Sequence, residues 1–155
     1  MIRFTWVAFR KGWSVHYLQA LVAWCLLSVS CAASAQQNVK VVVNNDVNVT
    51  SLMRTEVREI FTARKQYWSG GSKITVFVLD SNTSAHQAFC RQVLNMFPYQ
   101  LDRLWNQIIY SGQGERPEAV GSESALLQAV ASTPGAIGYI YEEAVSVNVH
   151  EVVIP

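Results

Sequence analysis

The stretch Ile74–Phe89 reads I-T-V-F-V-L-D-S-N-T-S-A-H-Q-A-F. Its first part, Ile74–Leu79, is the apolar run expected of a strand buried on both faces. Asp80, Ser81, Asn82, Thr83 and Ser84 then form a short polar loop, and Ser84 with Gln87 fits a capping box that opens a helix running to about Met96. Phe89, Val93 and Met96 face inward in this reading. A strand that ends in small hydroxyl and amide residues and opens a helix is a template for binding an oxyanion. The first-turn N–H groups point outward, the helix dipole adds partial positive charge, and short side chains allow close approach. Ser81, Asn82, Thr83 and Ser84 are therefore the candidate ligand-binding residues. From local sequence alone, a plain helix cap is the simpler reading of the same residues.

A second join lies at Ser132–Tyr141, S-T-P-G-A-I-G-Y-I-Y. Pro134 cannot continue a helix, and Gly135 can take the left-handed conformation that ends one. Ile137–Ile140 then reads as a core strand, in which Gly138 predicts a close backbone neighbour. Ser122 caps the helix that leads into this join, from Glu123 to about Ser132.

Between and before these joins the pattern is of the same kind. Val39–Asn44 reads as a strand ended by Asn44-Asn45-Asp46. A helix begins near Leu52, with Leu52, Val57, Ile60 and Phe61 on one face. Ser69-Gly70-Gly71-Ser72 is a turn by composition. Pro98 suits the first turn of a helix whose apolar stripe is Leu101, Leu104, Trp105 and Ile108. Ser111–Pro117 is a loop, and a last strand spans roughly Val145–Ile154. Strands separated by helices imply an α/β domain with a mixed or mostly parallel sheet flanked by helices. Trp68 and Trp105 are expected in its core.

The N-terminus has a different character. Arg3, Arg10 and Lys11 precede the apolar run Leu18–Val29, and Ala33-Ser34-Ala35 offers small residues where signal peptidase reads. These are the parts of a secretory signal peptide, with cleavage expected after Ala35. An uncleaved anchor, the stretch from Tyr17 to Asn38, is the alternative and would be the only membrane contact. Lipidation at Cys31 fits less well, because Ser28 stands where a lipid-modified cysteine normally has Leu or Val. The expected domains are thus a leader over 1–35 and a mature domain over 36–155. Of twelve basic residues three leave with the leader, so nine face eleven acids and the net charge falls from +1 to −2. No basic excess calls for nucleic acid or an anionic membrane. Cys90 alone remains in the mature chain, so no disulfide framework holds the fold.

Catalytic chemistry is hard to find. His86 and His150 have no Cys or His partner at metal-ligand spacing. No G-x-S-x-G elbow and no phosphate-binding P-loop is present. His86 and Cys90 lie four apart on a helix and can touch, but nothing in the sequence orients the imidazole, and the pair reads as packing. Glu142-Glu143 reads as a solvated edge. Two sequons, at Asn48 and Asn82, matter only in a host that glycosylates. The chain is expected to be neither an enzyme nor a cofactor protein.

Ile60–Gly71 (I-F-T-A-R-K-Q-Y-W-S-G-G), Ile74–Phe89 and Ala131–Ile140 (A-S-T-P-G-A-I-G-Y-I), in this order, resemble the periplasmic phosphate-binding protein, the substrate-binding subunit of the phosphate ABC importer. The resemblance covers most of the mature chain, and T-P-G-A-I-G-Y is its most specific element. It implies a periplasmic-binding-protein-like lobe that is exported to the periplasm, takes phosphate or a similar oxyanion at the Asp80–Ser84 loop, and meets an ABC permease. It also implies that full-length relatives close two lobes around the ion, whereas this length fits one. Against the family's R-S-D-G-S-G-T loop, the Arg falls on Leu79, a Gly on Ser84 and a Thr on Ala85, and Thr83 matches a hydroxyl donor. The Gly of the family's I-F-x-G falls on Ala63. A bidentate Arg gives strong anion pairing, so its loss predicts weak or degenerate binding unless Arg91, Arg103 or Arg116 substitutes. The alternative is a periplasmic interaction or sensory module, binding a protein partner, that has lost the ion.

Overall fold

The computed structural model describes residues 38–141 and 148–155. The expected leader over 1–35, Glu142-Glu143 and the start of the last strand at Val145 lie outside them. Residues 37–155 form one compact unit. In chain order its elements are β1 (Lys40–Asn44), α1 (Arg54–Phe61), β2 (Thr75–Leu79), α2 (Ser84–Gln92), α3 (Pro98–Tyr110), β3 (Glu118–Val120), α4 (Glu123–Ser132), β4 (Ala136–Ile140) and β5 (Val149–Val152). The strands form one sheet in the order β3-β2-β4-β1-β5. β2 runs parallel to β3 and β4, while β1 is antiparallel to both β4 and β5. Four strands therefore share a direction and β1 opposes them, which makes the α/β sheet mixed but mostly parallel.

Side-chain alternation along β4 shows how the helices are distributed. Tyr139 and Gly138 point to opposite faces of the sheet. On the Tyr139 face its ring stacks on Phe89 at 3.9 Å and meets Phe61 at 5.9 Å, so α1 and α2 lie there. On the Gly138 face lie Leu126 and Val130 of α4. The sheet is thus covered on both sides, and every residue of β4 is buried. Each large apolar side chain taken from water in this way contributes about 1.5–3 kcal/mol before entropy is counted. Trp68 and Trp105 are both in the core, as expected, with their indole N–H groups donating to Gly135 O at 2.9 Å and Phe61 O at 2.8 Å.

The closeness predicted at Gly138 is real, but its source is different. A Cβ there would stand 2.5 Å from Leu126 Cδ2 and 3.1 Å from Val130 Cγ2, so helix side chains, not a backbone, fill the space. The close backbone is at Gly135, which has φ +72° and whose added Cβ would collide with the Lys73 carbonyl.

Three further boundaries differ from expectation. α2 ends at Gln92 rather than near Met96. Arg54 of α1 donates through Nη1 to the Gln92 carbonyl, and Asn95 takes a left-handed φ of 52°, so the chain turns there. β3 was not anticipated, because three residues pairing with β2 at the sheet's edge leave no periodic pattern to read. β5 is shorter than the strand expected over 145–154, its described part covering only Val149–Val152. Ala63, standing where the resemblance has Gly, keeps a glycine-like φ of 55°. The end of α1 therefore retains its left-handed turn without the residue that adopts it most easily, and Arg64 N still closes onto Glu59 O at 2.8 Å.

Candidate functional site

β2, β3 and β4 are parallel, so their carboxyl ends share one edge of the sheet, with Leu79 opposite Val120. Ligands of open α/β sheets sit beyond such an edge. The Asp80–Ser84 loop leaves it, and so do the start of α4 and Tyr141.

Backbone geometry shapes the loop. Thr83 N donates to Asp80 O at 2.9 Å, and Thr83 Oγ1 donates to the same carbonyl at 2.8 Å. With φ −73° and ψ 145° Thr83 is the last extended residue, and its hydroxyl accepts from His86 N at 3.3 Å. The helix cap is therefore Thr83 rather than Ser84, one residue earlier than the capping-box reading. Both residues carry hydroxyls, and the turn closed by Asp80 decides which one stays outside the helix. Ser84 becomes the first helical residue. Gln87 does not complete the box but donates through Nε2 to Asn82 O at 3.4 Å. With Thr83 serving His86, the Ser84 and Ala85 N–H groups have no acceptor among the described residues. The candidates Ser81, Asn82 and Ser84 are exposed and Thr83 is half-buried. Thr83 is committed to capping, so the side chains of the other three are the ones that remain available.

The floor beneath the loop is a buried polar chain. Leu79 N donates to Tyr139 Oη at 3.0 Å, Tyr139 Oη lies 2.5 Å from His86 Nδ1, and His86 Nε2 lies 3.4 Å from Cys90 Sγ. His86 Nδ1 is the one acceptor within reach of the Tyr139 hydroxyl among the described residues, and the phenol hydrogen is assigned to it. That leaves the proton on Nε2, which donates to the sulfur. Burial lowers the His86 pKa, against a smaller opposing pull from Asp102, and the ring is neutral. Burial pushes the Cys90 thiol up to about 12, so the sulfur is no nucleophile. It also raises the Tyr139 phenol. His86 and Cys90 do touch, and Tyr139 supplies the orientation that was not legible in the sequence. The chain is a strut between β2, α2 and β4, and it holds both ends of the loop.

At the neighbouring helix start the capping pattern repeats: one first-turn donor is taken, and the Glu123 and Ser124 N–H groups have no acceptor among the described residues. Ser122 Oγ accepts from Ala125 N at 3.2 Å, and the Glu123 carboxylate accepts from Tyr141 N at 2.8 Å. Tyr141 in turn donates its hydroxyl to Ser84 O at 2.9 Å, tying α2 to this edge. The edge thus presents two helix starts; that of α4 carries its own carboxylate, Glu123, while that of α2 has hydroxyl and amide side chains around it and Asp80 in the loop before it. Among the described residues no cation is bonded to that loop. Leu79, in the family's Arg position, is buried. Arg116 pairs with Asp102 at 3.7 Å and lies over the Trp105 ring. Neither Arg91 nor Arg103 bonds to the loop among the described residues.

The Gly135 join uses residues that the sequence reading passed over. Asn44 Nδ2 donates to the carbonyls of Val130 and Ala131 at 2.8 and 3.0 Å, capping the end of α4. Its Oδ1 accepts from Asp46 N, and the Asp46 carboxylate accepts from Gly135 N at 3.1 Å. Gly135 O then takes both Trp68 Nε1 at 2.9 Å and Thr75 N at 3.3 Å. Asn44 and Asp46 read as a strand end, and they also act as the clasp of a turn some ninety residues away.

Among the described residues no cluster of His, Cys, Asp and Glu could hold a metal, and no helix is long and apolar enough to cross a membrane. Together, the mixed sheet covered on both faces and the polar loop beyond β2 define a single α/β lobe. No protein-family profile and no curated protein matches the chain. Solved structures do match its fold. An ABC-type phosphate transport receptor from Vibrio cholerae is similar over 75% of this chain and 45% of its own, with a TM-score of 0.59 and 17% identity. A putative phosphate ABC transporter substrate-binding protein from Clostridium perfringens, solved with bound phosphate, is similar over 75% and 44%, with a TM-score of 0.58 and 17% identity. A possible phosphate-binding protein from Planctomyces limnophilus DSM 3776 is similar over 76% and 41%, with a TM-score of 0.53 and 19% identity. The chain spans less than half the length of these proteins. At such identity the likeness is one of fold: this chain folds as one lobe of a phosphate ABC substrate-binding protein.

Proposed function

We propose that the chain is an exported oxyanion-binding lobe that takes phosphate or a chemically similar anion, weakly, at the start of α2. The observation that carries this reading is the pair of unaccepted N–H groups, Ser84 and Ala85, at the carboxyl edge of a sheet whose solved counterparts are phosphate receptors. Ser81, Asn82 and Ser84 supply side-chain donors around that pair, and Thr83 fixes the geometry that presents it. Weakness follows from the missing guanidinium at Leu79, from Asp80 and Glu123 beside the site, and from exposure to water, which screens the anion. Export by the leader ending at Ala35 places the lobe in the periplasm, where an ABC permease is the partner the fold favours.

A thermal melt across a phosphate titration, with sulfate and chloride at matched ionic strength, tests this reading. A ligand that binds only the folded form raises the midpoint by mass action. The expected result is a saturable rise with phosphate that is lost in S84A combined with N82A. No rise at millimolar phosphate would end the proposal.

A further inference from the structure

A shallow groove of about 630 Å3 runs between α1, the turn after α2, and α3. Arg58 enters it from α1 and Arg103 from α3. Asn95, Gln100, Asn106 and Gln107 add four exposed amides, over an apolar floor of Met96 and Leu104. No carboxylate lines it. Neither guanidinium has an ion pair among the described residues, although Lys40, Lys65, Lys73 and Arg116 each pair with an acid. A second concavity, about 510 Å3, makes the contrast plain. Lys65, Lys73 and Arg116 line it, but all three are neutralised by Glu56, Glu115 and Asp102. In a mature chain with more acids than bases, the groove concentrates unneutralised positive charge.

The geometry points to this groove as a docking site for an acidic, extended segment of a partner protein. Two guanidiniums can each pair bidentately with a carboxylate. The amides distinguish a peptide from a free ion: Asn95, Asn106 and Gln107 each offer both a donor and an acceptor, matching the alternating N–H and C=O groups of a peptide backbone, while Gln100, whose Oε1 accepts from Phe97 N at 2.8 Å, adds its Nε2 donor. An inorganic anion would use only the donors. The groove shares no residue with the Asp80–Ser84 loop, so the two surfaces act independently.

The test uses the full chain and a fluorescent peptide of alternating Glu and Ala residues, read by anisotropy. A Lys-Ala peptide, inorganic phosphate and phosphatidylglycerol vesicles serve as comparison arms. Saturable binding of the Glu-Ala peptide is expected, weakening steeply as salt rises from 50 to about 300 mM, as a screened charge contact must. R58E and R103E should each weaken it at least tenfold. R58K and R103K should weaken it less, while S84A with N82A should leave it unchanged. Both Arg side chains are exposed, so these variants are expected to fold, which circular dichroism checks. Equal binding of the Lys-Ala peptide, wild-type affinity in both charge reversals, or displacement by stoichiometric phosphate would overturn the proposal. Charge-dependent binding to the vesicles without binding to the peptide would do the same.

Discussion

The chain makes two tight joins between strand and helix, and they treat their polar groups in opposite ways. At Gly135 nothing is left over: its N–H is accepted by Asp46, its carbonyl takes Trp68 and Thr75, and the helix end before it is capped by Asn44. At Asp80–Ser84 Thr83 serves His86 and the Asp80 carbonyl, yet the Ser84 and Ala85 N–H groups have no acceptor among the described residues. A closed join is architecture, because every group that a ligand might use is already bonded within the fold. An open join, held from below by the Leu79–Tyr139–His86–Cys90 strut, is where binding can occur.

The closed join should be the more fragile to mutation. G135A forces a side chain into the left-handed region and against the Lys73 carbonyl, and should lower unfolding free energy by about 3 kcal/mol or more. Urea denaturation measures this loss, and a loss under 1 kcal/mol would mean that the clasp is dispensable. Beneath the open join, Y139F leaves the Leu79 N–H buried without its acceptor and should cost about 2 kcal/mol. It should also broaden the amide resonances of the loop, since both of its ends lose their shared support.

Acid should act on the same strut. The folded His86 pKa is lowered by burial, so the unfolded chain binds the proton more readily. The stability His86 contributes is therefore fully present above the unfolded value of about 6.5 and is lost as pH falls from there towards the folded pKa. One proton limits the slope to about 1.4 kcal/mol per pH unit. Urea midpoints between pH 7.5 and 5.5 should fall in the wild type and flatten in H86Q. The smallest effect is a gain. Ala63 holds φ 55° at the end of α1, and A63G should stabilise the chain by about 1 kcal/mol, visible as a raised melting midpoint.

How much of this was legible in the sequence followed the range of the interactions. Local signals mark the strands Val39–Asn44 and Ile74–Leu79, each within one residue of the observed start, the Ser122 cap, Pro98 at a helix start and the left-handed Gly135, because each rests on neighbours within a few residues. The cap of α2 was misplaced by one residue because Thr83 and Ser84 are chemically alike, and only the Asp80 turn separates them. The Asn44–Asp46 clasp, the Tyr139 strut and the helix side chains against Gly138 join distant parts of the chain, and periodicity does not register such contacts. The groove between Arg58 and Arg103 was hidden for the same reason. Its two cations look like ordinary solvated helix residues until the helices are placed side by side.

If the open join, and not the closed one, meets the ligand, amide chemical shifts of 15N-labelled protein across a phosphate titration will show it. Saturable shifts are expected at Ser84 and Ala85, smaller ones at Ser81 and Asn82, and none at Gly135. Phosphate shifts confined to residues around Arg58 and Arg103, or absent from Ser84 and Ala85 at millimolar concentration, would contradict it.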